Sequence, residues 1–162
     1  MQIRIRDILL AWDFLAATCI SVVAVFGLAG NVANTLCKDM YNIGISVLAI
    51  VFSVYFAALA IIISSSDDDF VRFLEEVGDY SRLISTFRYT LALLFTALMY
   101  SIIMYAITSV WINDDVLGQS KWFITVLAFL FSYGLFAAVS VTSDAILYAK
   151  SRSEFLSKIN KK

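Results

Sequence analysis

Asp13 is the residue in this chain with most to explain. It stands inside a long apolar run, where a carboxylate costs about 2.5–3.5 kcal/mol on insertion scales and usually faces a partner or a cavity. At 100° per residue Arg6, Asp13, Ala17, Ile20, Ala24, Gly27 and Asn31 share one helical face, polar at its ends and small between, with Phe14, Leu15 and Val22 opposite. In a symmetric oligomer such a face lines a pore, Asp13 forming an acidic ring and Ile20 an apolar constriction. The same face also suits close helix packing, with Asp13 snorkelling or paired to Arg6. Both readings stand on the residues alone.

A second constellation is cationic. Arg72, Arg82, Arg88, Lys150, Arg152 and Lys158 are interleaved with Phe73, Tyr80, Phe87 and Tyr89. Cations beside aromatic faces are what a short single-stranded nucleic acid or a nucleotide requires. Basic residues flanking membrane spans also serve topology and lipid headgroups. Asp67, Asp68 and Asp69 fit an acidic helix start better than a cation site. Cys19 fits a small apolar residue, and Cys37 is expected unpaired at the outer side. Asp144 suits an interhelix or surface partner near the inner interface.

Enzyme chemistry has no foothold. Histidine is absent, which removes imidazole metal sites and His-based triads. No glycine-rich phosphate loop, HExxH, CxxC or GxSxG occurs. The expectation is a protein that is not an enzyme, with no catalytic residue, metal or cofactor.

Composition fixes the setting in which these residues work. Of 162 residues 61% are apolar and only 15% charged, proline is absent, and the mean hydropathy is +0.85. A soluble domain has about 25% charged residues, and so few charges cannot clothe a water-exposed surface. A spanning helix takes about 20 apolar residues, and four stretches qualify, near 8–30, 43–63, 89–111 and 121–148. The first exceeds the apolar core of a signal peptide and carries acidic residues, so it is expected to be retained. No strand-like alternation is sustained, which argues against a barrel. The predicted fold is all-α: one polytopic domain over residues 1–162, with four transmembrane helices and short helical extensions.

Orientation follows from charge. Ten of the twelve basic residues fall on the side holding both termini and the 64–88 connection, leaving Lys38 and Lys121 on the other. The positive-inside rule then places both termini in the cytoplasm. Outer connections at 31–42 and 112–120 are short. In the inner one, Phe70, Phe73, Leu74 and Val77 repeat at helical spacing, Gly78 fits a stop, and Asp79 or Ser81 starts a helix entering the third span. Residues 121–159 read as one helix leaving the membrane as a stalk, or with its basic 149–162 tail laid on anionic lipid. The inner spans carry polar stripes expected to pack between helices: Ser46, Ser53, Ala57, Ala60 and Ser64; Thr90, Ala97, Ser101, Tyr105 and Thr108; Tyr133, Ala137, Ser140 and Asp144.

Four proline-free spans with both ends inside, the central helix around residues 67–88 and the basic tail after Lys150 resemble the small four-span membrane effectors of bacterial anti-phage defence, Hailong-type systems first and the Kiwa membrane component second. The Hailong resemblance implies a homotetrameric ion channel of the inner membrane that depolarises the cell during infection. It further implies a short oligodeoxyadenylate, made by a partner nucleotidyltransferase, that binds a cytosolic cavity and holds the channel closed. On that reading Asp13, Ala17, Ile20, Ala24, Gly27 and Asn31 line the pore, and Arg72, Arg82, Arg88, Lys150 and Arg152 meet the ligand. The Kiwa resemblance implies a non-conducting sensor or scaffold that recruits a soluble partner through residues 70–77. A third class is a proton-coupled transporter using Asp13. It resembles the small multidrug transporters, which are shorter and lack the long inner segment.

Overall fold

The computed structural model describes residues 12–28, 30–64, 79–114, 116 and 118–159. Four helices dominate: α1 (Trp12–Gly27), α2 (Asn34–Ser64), α3 (Asp79–Asn113) and α4 (Lys121–Ile159). Two short strands, β1 (Asn31–Val32) and β2 (Gln119–Ser120), pair antiparallel, Asn31 opposite Ser120 and Val32 opposite Gln119. Three helical stretches are long and apolar enough to cross a bilayer, Asn34–Ala60, Leu83–Asn113 and Lys121–Ser143, and α1 is a shorter apolar helix. The architecture is all-α with candidate membrane spans. The expected helix over residues 70–77 lies outside the described residues.

The helices pack in an uneven bundle. The main contacts join α2 to α3, α1 to α4 and α3 to α4, with a lesser one between α2 and α4. Small residues permit the closest approaches. A Cβ on Gly44 of α2 would lie 3.2 Å from Ser101 Oγ of α3, and one on Gly134 of α4 would lie 3.2 Å from Leu94 of α3. Without a hydrophobic drive between helices in lipid, such close backbone packing is the principal adhesive. Leu48, Tyr55, Phe87, Leu94, Ala97, Ala138 and Val141 form one apolar core, and Val32, Cys37, Tyr41, Met104, Ile124 and Leu127 form another beside the strands. Large apolar residues such as Phe26, Val23, Ile50, Val54, Ile103 and Val139 face outward, as lipid requires.

The structure differs from the sequence expectations in several places. Helix α2 begins at Asn34, so most of the expected 31–42 connection is helical. The reason is the buried stripe Cys37, Tyr41, Gly44 and Leu48, which continues the core-facing side of α2 past its polar neighbours. Cys37 is a free cysteine, fully buried, its thiol 3.9 Å from the Val32 carbonyl. Phe14 packs toward α4 together with Asp13 instead of pointing away from it. The α3 stripe is a packing face, with Thr90, Ala97, Ser101 and Thr108 buried, whereas Ser46, Ser53, Ala57 and Ala60 of α2 are exposed.

Those exposed hydroxyls tolerate lipid because they are satisfied within their own helix. Ser46 donates to the Asn42 carbonyl at 2.9 Å, Ser53 to Ala49 at 2.8 Å and Thr96 to Ala92 at 2.8 Å. Buried Ser21 and Ser101 do the same, bonding Ala17 and Ala97. The expected interhelical role of these hydroxyls gives way to bonds four residues back along the helix.

Candidate functional site

Ser140 departs from that pattern. Its Oγ donates to Asp13 Oδ1 at 2.7 Å, joining the first turn of α1 to α4. Counted from Lys121 at 1.5 Å per residue, Ser140 lies about 28 Å along α4. The pair therefore lies close to the end of the apolar stretch Lys121–Ser143, on the side away from the strands. At the end of a spanning stretch a carboxylate would be far less costly than at its middle. In membranes, interhelical hydrogen bonds average about 0.6 kcal/mol and reach about 1.7.

An aromatic group flanks this pair. Phe14 meets Phe129 and Tyr133 edge-on, with ring centroids 5.6 and 5.7 Å apart. Phe129 and Tyr133 are themselves 5.7 Å apart on α4. The Tyr133 hydroxyl is 3.0 Å from that of Tyr89 on α3. A polar and aromatic seam therefore runs from α1 through α4 to α3. Among the described residues no group of three or more Cys, Asp or Glu is placed to hold a metal.

The proposed pore face is divided by the fold. Ala17 is fully buried against the bundle, and Asp13 and Ala24 are half-buried. Ile20, Gly27 and Asn31 are exposed, Asn31 as part of β1. The α4-facing side of α1 consists of Asp13, Phe14, Ala17 and Ser21, which leaves Ile20 at its edge.

The cationic residues gather at the end of the bundle away from the strands. Arg82 and Arg88 belong to the early turns of α3, and Lys150 and Arg152 to the late turns of α4. Because α3 and α4 are antiparallel neighbours, these four positions share one end. Arg88 and Lys150 are exposed; the side chains of Arg82 and Arg152 and the whole of Arg72 lie outside the described set. Of the interleaved aromatics, Phe87 is turned inward and stacks on Tyr55 at 4.9 Å, so it is core. Tyr89 is half-exposed, with its hydroxyl engaged by Tyr133.

The opposite end holds a polar knot that the sequence reading did not find. Buried Gln119 accepts from the Tyr41 hydroxyl at 3.5 Å and donates to Thr108 Oγ1 at 3.4 Å. Asn34 Nδ2 donates to the Val116 carbonyl at 2.6 Å. Lys121 closes the end of α1: its Nζ donates to the Val25 carbonyl at 3.0 Å, and its backbone N–H to the Gly30 carbonyl at 3.2 Å. A cation at a helix C-terminus satisfies orphan carbonyls and opposes the dipole. The available signal was Gly118 beside Gln119, a loop glycine next to a polar residue.

The chain matches no protein-family model, and no curated protein or solved structure is similar to it. Fold and site together define an all-α protein with three helices long and apolar enough to cross a membrane.

Proposed function

We propose that this chain is a four-span protein of the bacterial inner membrane, both termini cytoplasmic, acting as a homo-oligomeric ligand-gated ion channel in anti-phage defence. The observation that carries the proposal is the continuity of α3 and α4. Each runs without a break from a membrane-crossing segment to the end bearing Arg82, Arg88, Lys150 and Arg152. Residues 144–159 alone extend α4 by about 24 Å beyond its apolar segment. An uninterrupted helix is a rigid lever, so an anionic ligand bound among those cations acts directly on the spans. The charge asymmetry supports the orientation. In this proposal α1 counts as the fourth span and presents Ile20 and Gly27 toward the oligomer axis, with Asp13 at the inner mouth. The ligand is a short oligodeoxyadenylate or a polyanion of the same kind, and it holds the channel closed.

The test is single-channel recording of purified protein in planar bilayers, with and without short oligodeoxyadenylates. Discrete currents suppressed by the oligonucleotide support the proposal. Silence from protein shown to be folded and inserted rejects it in favour of a non-conducting scaffold.

A further inference from the structure

We propose that the strand-bearing end of the bundle holds a buried water-binding site, in which an ordered water donates to Asn34 Oδ1 and bridges toward the Gln119 amide. The site belongs to a single chain and does not depend on the channel proposal.

Asn34, Cys37 and Tyr41 stand three and four residues apart, so they stack on one face of α2, and all three are buried. That face meets α3 and β2. Asn34 donates to the Val116 carbonyl, the Cys37 thiol faces Gln119, and the Tyr41 hydroxyl reaches Gln119 Oε1. Gln119 in turn reaches Thr108 on α3. Val32, Met104, Ile124 and Leu127 pack around Cys37 and Tyr41 and separate this polar column from lipid. Asn34 is 5% exposed and Gln119 3%, so neither amide can turn to bulk water.

The polar groups of the column do not satisfy one another. Asn34 Oδ1 is shielded from solvent and has no hydrogen-bond partner. The amide cannot flip to cure this, because its Nδ2 donates to the Val116 carbonyl at 2.6 Å, and a flip would set two oxygens against each other. The orphan is therefore an acceptor, and it calls for a donor. Gln119 has two donor hydrogens and a carbonyl oxygen with two lone pairs. Its contacts with Tyr41 and Thr108 are 3.5 and 3.4 Å long, whereas good O–H···O and N–H···O bonds end at about 3.0 and 3.2 Å.

A buried hydrogen bond left unmade carries the desolvation cost of the group, and folded chains answer it with ordered water that makes about three bonds to such groups. Water supplies the donor that Asn34 Oδ1 lacks, and it can both give to and accept from Gln119. A metal cation fits less well. Asn34, Cys37, Tyr41, Thr108 and Gln119 are all neutral, and the cationic Lys121 follows two residues after Gln119, so a buried cation would meet no compensating charge.

Pulsed X-ray radiolysis read by mass spectrometry tests this on the full chain in lipid nanodiscs. The beam makes hydroxyl radicals from bound as well as bulk water, and these oxidise the nearest side chains. Tyr41 and Tyr55 are the same residue type and are 0% and 4% exposed, but Tyr41 adjoins the proposed water and Tyr55 lies in the other core. Tyr41 is expected to be oxidised several-fold faster than Tyr55. Equal rates overturn the site. A radical scavenger in the buffer separates bound water from leakage: it is expected to slow oxidation of exposed Met40 and to leave Tyr41 unaffected. A parallel fall at Tyr41 overturns the proposal, because bulk water then reaches it. Asn34→Leu removes the acceptor at similar size and is expected to bring Tyr41 down to the Tyr55 rate. A wild-type Tyr41 rate in folded Asn34→Leu protein overturns the site as well, and where that variant does not fold, the two tyrosines of the wild-type chain decide.

Discussion

Gly118 sits so close to Val32 that a Cβ on it would lie 2.9 Å from the Val32 carbonyl oxygen. The contact is between backbones, so no side chain can swing aside to relieve it. The approach lets β2 pair with β1, places Gln119 between Tyr41 and Thr108, and sets Lys121 beneath the end of α1. A residue without chemistry of its own thus determines whether a whole end of the bundle closes.

Gly118→Ala is accordingly expected to destabilise the protein by about 1–3 kcal/mol, the range for overpacking a tight site. Thermal unfolding in detergent checks this, as a lowered midpoint against the wild-type chain. An unchanged midpoint would show that the strand connection is not structural.

Gly27 provides the contrast. Nothing lies within 4 Å of a Cβ built there, and it ends a helix rather than lining a close approach. Gly27→Ala is expected to be neutral or to stabilise by up to about 1 kcal/mol, the difference in helix propensity. The same unfolding assay separates the two glycines. Loss of stability in Gly27→Ala, in monomeric detergent-solubilised protein, would contradict the open surroundings found there.

The fold was legible where one physical requirement dominated. Apolar length alone located α2, α3 and α4, because a bilayer demands a continuous run and leaves backbone groups no partner but the helix itself. The persistence of α4 to Ile159 was also legible, from spacing that stays in phase. The start of α2 was not. Asn34, Lys38, Asp39 and Asn42 have the composition of a loop, and only packing reveals that Cys37 and Tyr41 bury the opposite side. For the site, the sequence marked Asp13 as needing a partner and named Ser140 among polar positions, but helical angles on one element cannot say which neighbour it faces. Phe14 illustrates the limit: it was placed opposite Asp13, yet a broad interface with α4 takes in both. The Gln119 knot joins residues far apart in sequence, so no local pattern encodes it.

Tyr133→Phe probes the seam from the α3 side. It removes the hydroxyl bonded to Tyr89 and keeps the ring against Phe14 and Phe129. The expected cost is about 0.6 kcal/mol, and at most about 1.7, the measured span for interhelical hydrogen bonds in membranes. A double-mutant cycle with Tyr89→Phe isolates the pair; zero coupling would mean that the two hydroxyls do not act on one another.

Arg88 and Lys150 offer the cleanest test of an anionic ligand, since both side chains are exposed at the end of the bundle proposed to face the cytoplasm. If each contacts a phosphate, Arg88→Ala or Lys150→Ala weakens binding of a short oligodeoxyadenylate. Each also lowers the log–log salt dependence by about 0.7, the counterion release per phosphate for a single strand. Fluorescence anisotropy at several salt concentrations reads both quantities. Wild-type affinity and slope in both variants would remove these residues from any binding site.

Asp13 has two separable properties, its charge and its acceptor oxygen. As an acidic ring at a pore mouth it concentrates cations through charge; as the partner of Ser140 it needs only an acceptor. Asp13→Asn removes the first and keeps the second. In the channel proposal this variant assembles and stays folded, because the bond to Ser140 can still form, but its reversal potential under a salt gradient shifts toward lower cation preference. Asp13→Ala loses both, so it is expected to show the altered selectivity together with a loosened α1. A reversal potential in Asp13→Asn equal to that of the wild type would confine Asp13 to its contact with Ser140 and take it out of the pore.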